Sequence, residues 1–364
     1  MFQQSVLAAG FLWLSGALAG YQASATDNIA IYWGQNSAGA ADAGNSQKSL
    51  SDYCSDTDVD IIPIAFLSKF NPIGLDLTNM EDDKNIGQEI TSCQKAGKTV
   101  LLSIGGAMFT QGPSSPQQAQ SLADQVWGMF GPKGNGGGDR PFGDAVVDGF
   151  DLDIESPLQN IAPFATRLRQ NIDKANGGGG QKFYLSAAPQ CPYPDQNNQD
   201  ILQGDGAVAF DFIMVQFYNN AKCDIRIFGS DEANSDPSKA GFNMDQWDQW
   251  AHSSKNPNTK VFLGIPGGPS AVTLSEKESY KEPETLGAII AYSKKFSSFG
   301  GVMIWDMSQA TTNPGFLDAV SNSVNGNGNG DGSGSGSGSG NTARQSSNAS
   351  LQKARRTHQR EWKM

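Results

Sequence analysis

Residues 148–155 read Asp-Gly-Phe-Asp-Leu-Asp-Ile-Glu. Successive side chains of a β-strand point to opposite faces, so Asp151, Asp153 and Glu155 share one face of this segment and the apolar residues between them share the other. The apolar face predicts a strand that packs against helices, with its row of carboxylates turned to the opposite side. The segment therefore predicts a buried strand that ends in a cluster of acids.

Short runs of β-branched or apolar residues recur along the chain from Asn28 to Trp305. Counting the segment above, the eight runs are Asn28–Trp33, Val59–Phe66, Thr99–Ile104, Gly149–Asp153, Phe183–Ala187, Phe212–Phe217, Val261–Ile265 and Gly301–Trp305. Several are apolar almost throughout, which is typical of parallel strands that are buried on both faces.

Several stretches between these runs have apolar residues at helical spacing. They are Asp83–Ala96, Pro116–Met129, Ile161–Ala175 and Pro283–Phe296. Strands alternating with helices over about 300 residues predict an α/β fold, a (β/α)8 TIM barrel in a single domain. A doubly wound open sheet is the alternative, but no glycine-rich phosphate turn follows the first run, where residues 32–35 read Tyr-Trp-Gly-Gln.

In a barrel the acids of this segment would line the axis, with Glu155 at the C-terminal mouth, where barrel active sites lie. Like charges a few ångströms apart raise each other's pKa, so three buried acids are costly in a purely structural role. The same repulsion keeps one carboxyl group protonated beside an ionised one, as general acid catalysis requires. A metal site is the competing interpretation, because hard cations bind clustered carboxylates, but the sequence offers no obvious further ligands.

The two ends of the chain differ from the predicted barrel. Residues 6–18 are apolar and uncharged, and Ala23-Ser24-Ala25 supplies small residues for cleavage, so residues 1–25 are predicted to be a secretory signal peptide. The run is shorter than the roughly 20 residues that span a bilayer, and no membrane span is predicted. Residues 325–340 are predicted to be a Gly/Ser/Asn-rich linker and residues 341–364 a basic, disordered tail. Residues 26–324 are left for the barrel domain.

Net charge and cysteine content limit the partners and the compartment. The formal net charge is −11, which argues against nucleic acid as a partner, because phosphate binding needs a basic face. Cys54, Cys93, Cys191 and Cys223 match no zinc-binding spacing, and an exported chain meets an oxidising compartment. Two disulfides are predicted. Three pairings are possible, and proximity in the sequence favours Cys54–Cys93 with Cys191–Cys223.

The segment 148–155 resembles the D-x-x-D-x-D-x-E signature of glycoside hydrolase family 18, and other strand ends are similar to those of its class III, hevamine-like chitinases. These read Ile-Tyr-Trp-Gly-Gln-Asn at 31–36, Ser-Ile-Gly-Gly at 103–106, Gln-Phe-Tyr-Asn-Asn at 216–220 and Gly-Val-Met-Ile-Trp at 301–305. The resemblance implies a (β/α)8 barrel. It also implies a secreted endo-chitinase of fungal or plant type that cleaves β-1,4-linked N-acetylglucosamine polymers, in cell-wall remodelling or chitin degradation.

The resemblance further implies roles for the polar residues at the strand ends. Glu155 would protonate the glycosidic oxygen, while the 2-acetamido carbonyl of the substrate attacks the anomeric carbon with retention of configuration. Asp153 would orient the acetamido group, and Asp151 would share a proton with Asp153. Tyr218 would hydrogen-bond the acetamido carbonyl, and Gln216 would contact the same sugar.

Aromatic residues and glycines complete the site that the resemblance implies. The indole of Trp305 would stack on the apolar face of a sugar ring, and Tyr32 and Phe66 would form walls of that subsite. Gly105 and Gly106 would keep the cleft open, because side chains there would fill it.

Other aromatic residues and the histidines are assigned no role in the site. Trp247 and Trp250 fall at helical spacing and are predicted to pack in the core. His252 and His358, the only histidines, lack the partner pattern of a catalytic triad or a metal site. No cofactor and no metal are implied.

Two other functions stay open at this point. A non-catalytic chitin- or sugar-binding or inhibitor protein can use the same barrel, although such proteins typically lose the acid or another cleft residue. An endo-β-N-acetylglucosaminidase acting on N-glycans would use the same acid and acetamido chemistry. We expect a monomer that acts on chitin or N-acetylchitooligosaccharides and is secreted, either extracellular or associated with the cell wall.

Overall fold

A computed structural model describes residues 20–78, 84–133, 139–230 and 236–326. Residues 1–19 of the predicted signal peptide, the predicted linker from residue 327 onward and the whole predicted tail lie outside the described residues. The strands within them are β1 (Asn28–Ile31), β2 (Ile61–Phe70), β3 (Ile73–Leu75), β4 (Thr99–Gly105), β5 (Gly149–Asp153), β6 (Tyr184–Ala187), β7 (Phe212–Gln216), β8 (Lys260–Pro266) and β9 (Phe299–Trp305).

All of these strands except β3 are parallel and form a closed barrel. Each barrel strand pairs with the next one along the chain, and β1 pairs with both β2 and β9, which closes the ring. β3 runs antiparallel to the end of β2 and forms a hairpin with it. The predicted (β/α)8 barrel is confirmed. The doubly wound sheet is excluded, because an open sheet leaves its two edge strands apart.

The described helices connect the barrel strands. They are α1 (Ser37–Ala41), α2 (Leu50–Asp56), α3 (Ile86–Lys95), α4 (Pro116–Phe130), α5 (Ile161–Gly177), α6 (Gln199–Leu202), α7 (Met244–Ser253), α8 (Pro283–Ser293), α9 (Met307–Thr312) and α10 (Phe316–Val324). The four predicted helices correspond to α3, α4, α5 and α8, with ends within three residues of the prediction. Helix α4 begins where its sequence indicates: the Ser115 hydroxyl accepts the Gln118 N–H, and Pro116 occupies the first turn.

The hydrophobic core has two layers, one between strands and helices and one inside the barrel. In the outer layer, the side chains of Trp247 and Trp250 on α7 are buried, and their indole N–H groups donate to the Cys191 and Leu202 carbonyls at 3.1 Å. The prediction that these two tryptophans pack in the core is confirmed. The inner layer runs from Tyr21 at the N-terminal end of the barrel to the aromatic side chains of Tyr32, Phe66 and Tyr218 near the mouth.

Two disulfides join neighbouring connections. Cys54 on α2 pairs with Cys93 on α3, and Cys191 pairs with Cys223. This is the pairing that proximity in the sequence favours. The second bridge links the loop after β6 to the loop after β7, and both loops leave the strands at the C-terminal mouth.

The glycine-rich stretch 131–143 runs from the end of α4 toward the start of β5, and residues 134–138 of it lie outside the described residues. Its described ends lie at the N-terminal side of the strands, opposite the mouth. There the Arg140 guanidinium donates to the carbonyls of Gly128, Gly131, Gly143 and Ala145. The described ends of the stretch therefore lie away from the acids, and these contacts are structural.

Candidate active site

The acids of residues 148–155 lie on the inner face of β5 and just beyond its end. The side chains of Phe150 and Leu152 are fully buried in the outer layer of the core. Asp151 and Asp153 are buried on the opposite, inner face, and Glu155 is partly exposed at the mouth. The alternation that the sequence predicts is therefore present, and the carboxyl groups form a column that rises toward solvent.

Asp151 is the deepest of the three acids and accepts hydrogen bonds from three hydroxyl groups. Tyr32 Oη and Ser103 Oγ both lie 2.7 Å from its Oδ2 atom, and Ser186 Oγ lies 2.7 Å from Oδ1. Complete burial raises the pKa of Asp151, and the hydroxyl donors offset part of that rise because they stabilise the ionised form. These donors come from β4 and β6, the strands that flank β5, and from the residue after β1.

Asp153 and Glu155 lie together above Asp151 and share the amide of Gln216. Its Nε2 atom lies 2.8 Å from Asp153 Oδ1 and 3.4 Å from Glu155 Oε1. Burial, followed by the charges of Glu155, Asp151 and Asp195, holds the pKa of Asp153 well above its usual range. A proton on Asp153 is therefore favoured at rest, and a hydrogen bond joins Asp153 to Glu155.

The pKa of Glu155 is also raised. Burial is the main cause, and the negative charge of Asp195 adds to it, while the hydrogen bond from Gln216 acts in the opposite direction. A carboxyl group at the mouth that holds its proton to higher pH is suited to donate that proton.

Tyr218 follows β7 and is buried above the same acids. Burial, followed by the charges of Asp153 and Glu155, raises its pKa well above the usual range, so the phenol keeps its proton and serves as a hydrogen-bond donor. The backbone N–H of the next residue, Asn219, donates to the Ser279 hydroxyl at 3.0 Å.

Three aromatic rings form one wall of the mouth. The rings of Phe66 and Trp305 stack with centroids 5.8 Å apart, and the ring of Tyr32 meets that of Trp305 edge-on at 5.5 Å. Trp305 is partly exposed, whereas Phe66 and Tyr32 are buried behind it. An indole supported in this way presents a rigid apolar surface beside the carboxyl column.

Gly105 and Gly106 lie at the end of β4, where there is no room for a side chain. A Cβ atom on Gly105 would lie 1.9 Å from the Asp153 carbonyl oxygen, and one on Gly106 would lie 2.8 Å from the Phe66 ring. Their φ angles of +133° and +87° are also in the region that favours glycine. The two glycines thus allow β4 to approach the acids closely, as well as leaving the mouth open.

Asp148, the first acid of the segment, lies apart from the other three. Its carboxylate accepts from the Val100 N–H at 2.8 Å and from the side-chain amides of Gln94 and Gln181 at 2.9 and 2.6 Å. These contacts hold the lower ends of β4 and β5 together, so Asp148 supports the strand that carries the site.

A further acid, Asp195 on the loop after β6, was not predicted from the sequence. It is buried and accepts from Asn197 N at 3.0 Å and Asn198 Nδ2 at 2.7 Å. Those asparagines in turn donate to the backbone beside the acid: Asn198 to the Ile154 carbonyl at 2.8 Å and Asn197 to the Glu155 carbonyl at 2.9 Å. The loop therefore positions Glu155 and places a negative charge near it. No periodicity marks a loop residue of this kind.

Ser103 and Ser186 were also missed as partners of the acids, although a signal for them exists. Both lie in predicted strands, and both are in register with Asp151 across the sheet. Polar residues in otherwise apolar barrel strands could have been paired with the acids once strand order was assumed.

The described residues show neither a metal-binding group of three His, Cys, Asp or Glu side chains nor a helix that is long and apolar enough to cross a membrane.

The model of the family described as "Glycosyl hydrolases family 18" matches residues 28–285. The chain is 42% identical over 325 residues to Endochitinase 33 of Trichoderma harzianum, which covers 85% of this chain and 95% of that protein. Among solved structures, a xylanase and α-amylase inhibitor protein in complex with trehalose superposes with a TM-score of 0.65 at 31% identity, covering 83% of this chain and 99% of that one. A chitinase from Ipomoea carnea gives a TM-score of 0.63 at 28% identity, covering 81% and 99%.

The hydroxyl donors to Asp151 yield a stability prediction. Replacing Ser186 by Ala leaves a buried carboxylate oxygen without its donor, so the free energy of unfolding at pH 7 should fall by about 1.5–3 kcal/mol. Loss of the donor raises the folded-state pKa of Asp151 further. The loss should therefore be largest at neutral pH and shrink as acid protonates Asp151 in both states.

Denaturant unfolding at several pH values measures this loss. Ser92→Ala, which removes an exposed helix hydroxyl, is the matched control and should change stability by less than about 0.5 kcal/mol. An equal loss at all pH values would contradict the assignment of Asp151 as the group concerned.

Proposed function

The chain belongs to glycoside hydrolase family 18, and on that premise we propose that it is a chitinase that hydrolyses β-1,4 linkages between N-acetylglucosamine units from within the polymer. The single observation that carries the proposal is the column of Asp151, Asp153 and Glu155 beside the partly exposed indole of Trp305. The names of relatives such as Endochitinase 33 support the same substrate.

Glu155 is the general acid in this proposal. Its position at the mouth and its raised pKa support a protonated carboxyl group within reach of a bound polymer. Transfer of this proton to the glycosidic oxygen breaks the bond to the anomeric carbon and releases the leaving sugar as an alcohol.

The substrate supplies the nucleophile. Most retaining glycosidases use a second carboxylate for this step, but family 18 is a recognised exception in which the 2-acetamido carbonyl oxygen attacks the anomeric carbon. The product of this attack is an oxazolinium ion. Water then attacks its anomeric carbon, gives a proton to Glu155 and restores the acetamido group with the original β-configuration.

The residues below Glu155 stabilise that cyclic intermediate. Asp153 accepts the acetamido N–H and opposes its developing positive charge, while the protonated Tyr218 phenol holds the carbonyl oxygen in place. Asp151 is fixed by three hydroxyl groups. It shares a proton with Asp153 as the hydrogen bond of Asp153 passes from Glu155 to the acetamido group. Gln216 bridges Asp153 and Glu155 and keeps both in reach of one sugar.

The sugar bound above these groups stacks on Trp305. An indole backed by Phe66 and Tyr32 suits the apolar C–H face of a pyranose, and it fixes the ring over the carboxyl column. Neither a cofactor nor a metal is required in these steps.

A second candidate function is sugar binding or inhibition without catalysis, which the inhibitor protein among the structural neighbours favours. We place it second because the acid, the carboxyl groups below it and Tyr218 are all present in one cluster.

We also propose that the chain is exported and acts as a monomer outside the cell or at the cell wall. The apolar residues 6–18 and the two disulfides support passage through an oxidising compartment.

Replacement of Glu155 by Gln tests the enzyme assignment. The amide keeps the shape of the side chain but cannot deliver the proton, so turnover of an N-acetylchitooligosaccharide should fall by about 10²–10⁴-fold. Product analysis that resolves anomers should show that the earliest wild-type products are β.

Glu284→Gln, an exposed residue in the first turn of α8, is the matched control and should leave turnover unchanged. An α-anomer as first product would contradict the acetamido mechanism. Tight binding by the wild type without cleavage would favour the binding protein, and absence of both would turn attention to N-glycan substrates.

Replacement of Asp195 by Asn tests the charge that this loop places near Glu155. General acid activity is lost as pH rises through the pKa of the Asp153–Glu155 pair, and the Asp195 charge raises the pKa of both members. Its removal should move the alkaline limb of the kcat/KM profile to lower pH.

Asp200→Asn, an exposed acid on the following helix, should leave that limb in place. A parallel loss of activity at every pH in the Asp195 variant would show a purely structural role for Asp195.

A further inference from the structure

The bottom of the barrel is closed by residues that precede β1. The ring of Tyr21 is buried there against Phe212 and Tyr184, with ring centroids 4.5 and 5.1 Å away. Its backbone N–H donates to Thr99 Oγ1 at 3.0 Å, and its hydroxyl donates to the Asp211 carbonyl at 3.2 Å. Tyr21 thus fills the end of the barrel opposite the active site and ties it to the start of β4 and the residue before β7.

Gly20 is buried beside this tyrosine, at a position that favours glycine. A Cβ atom on Gly20 would lie 2.7 Å from the Gly97 carbonyl oxygen, and its φ angle is +121°. Its backbone N–H donates to the carboxylate of Asp60, which also accepts the Ile29 N–H at 2.9 Å. The nitrogen atom of Gly20 therefore lies against a half-buried acid just before β2.

The sequence offers two places where small residues precede a cleavage point. One is Ala23-Ser24-Ala25, the predicted end of the signal peptide, and the other is Ala17-Leu18-Ala19. Cleavage after Ala25 would remove Tyr21 and open the bottom of the barrel, at a cost of about 1.5–3 kcal/mol for the lost burial of one large side chain. Cleavage after Ala19 would keep Tyr21 and would turn the amide nitrogen of Gly20 into a free amine.

We propose that the leader is removed between Ala19 and Gly20, and that the new α-ammonium group of Gly20 forms an ion pair with Asp60 beneath the barrel. The proposal rests on the export of the chain, which is part of the proposed function, but not on its activity. Hydrolysis of the Ala19–Gly20 peptide bond by a signal peptidase consumes one water and leaves a carboxylate on the leader and the amine on Gly20.

The ion pair has a defined pH range. In the uncleaved chain burial raises the pKa of Asp60 to about 6, and Lys98 and Asp27 are the other charged groups that act on it, Lys98 lowering its pKa and Asp27 raising it. An ammonium group at Gly20 adds a positive charge that favours the ionised form. The pair is broken in acid, when Asp60 takes up a proton, and in base, when an α-amino group of pKa about 8 loses its own.

The N-terminus of the protein exported by its own leader provides the first test. Edman sequencing together with intact mass should give Gly20 as the first residue. A start at Thr26, or at any other residue within the chain, would overturn the proposal but leave export intact. Recovery of exported protein that still begins at Met1 would overturn the cleavage that both proposals assume.

The ion pair itself is tested with two forms of the protein, one beginning at Gly20 and one with a single additional Ser before it. The additional residue replaces the ammonium group by a neutral amide. Its Tm at pH 7 should be about 2–4 °C lower, as expected for the loss of one partly buried charge pair in a domain of this size. The difference should vanish at pH 4.

Both forms are then compared in the Asp60→Asn background, where no carboxylate is present. The Tm difference at pH 7 should disappear there, because the additional Ser then costs nothing electrostatic. A difference that persists in Asp60→Asn would show a steric effect of the added residue, and equal Tm values in the wild-type background would show that no ion pair forms. Either result overturns the ion pair.

Discussion

The structure depends on the burial of Asp151 and Asp153, with Glu155 above them, on the inner face of one strand. Three carboxyl groups in one low-dielectric column cannot all be ionised at moderate cost, so they must share protons. Hydroxyl groups around Asp151 and the amide of Gln216 compensate for part of the burial. The part of the burial cost that is not compensated raises the pKa values of Asp153 and Glu155. A raised pKa is the property that general acid catalysis requires.

The barrel separates the residues that hold its strands together from those proposed to bind substrate. At the N-terminal ends of the strands, Asp148, Tyr21 and the Arg140 loop hold strands together and close the bottom. At the C-terminal ends, glycines, aromatic rings and disulfide-linked loops surround an open mouth. The chemical groups can therefore be buried on one side and reached by a polymer on the other.

Much of the barrel and of the acid cluster could be predicted from the sequence. The strands are short and apolar, and they alternate with helices whose apolar residues recur at helical spacing. The prediction of β5 matched its observed bounds, and alternation within it gave the shared face of the acids. Residues that depend on loop paths were missed. Asp195 acts through asparagines that reach the Glu155 backbone, and the contacts of Gly20 and Tyr21 with distant strand starts have no local signature. Such long-range contacts follow from the closed ring rather than from any one segment.

In the proposed mechanism the acetamido group of the substrate, and not a residue of the protein, attacks the anomeric carbon. Digestion of partially deacetylated chitosan tests it most directly, because the sugar on the nonreducing side of the cleaved bond becomes the new reducing end. Every new reducing end should then carry an N-acetyl group, whatever the composition of the polymer. Glucosamine at new reducing ends, in proportion to its content in the polymer, would contradict it.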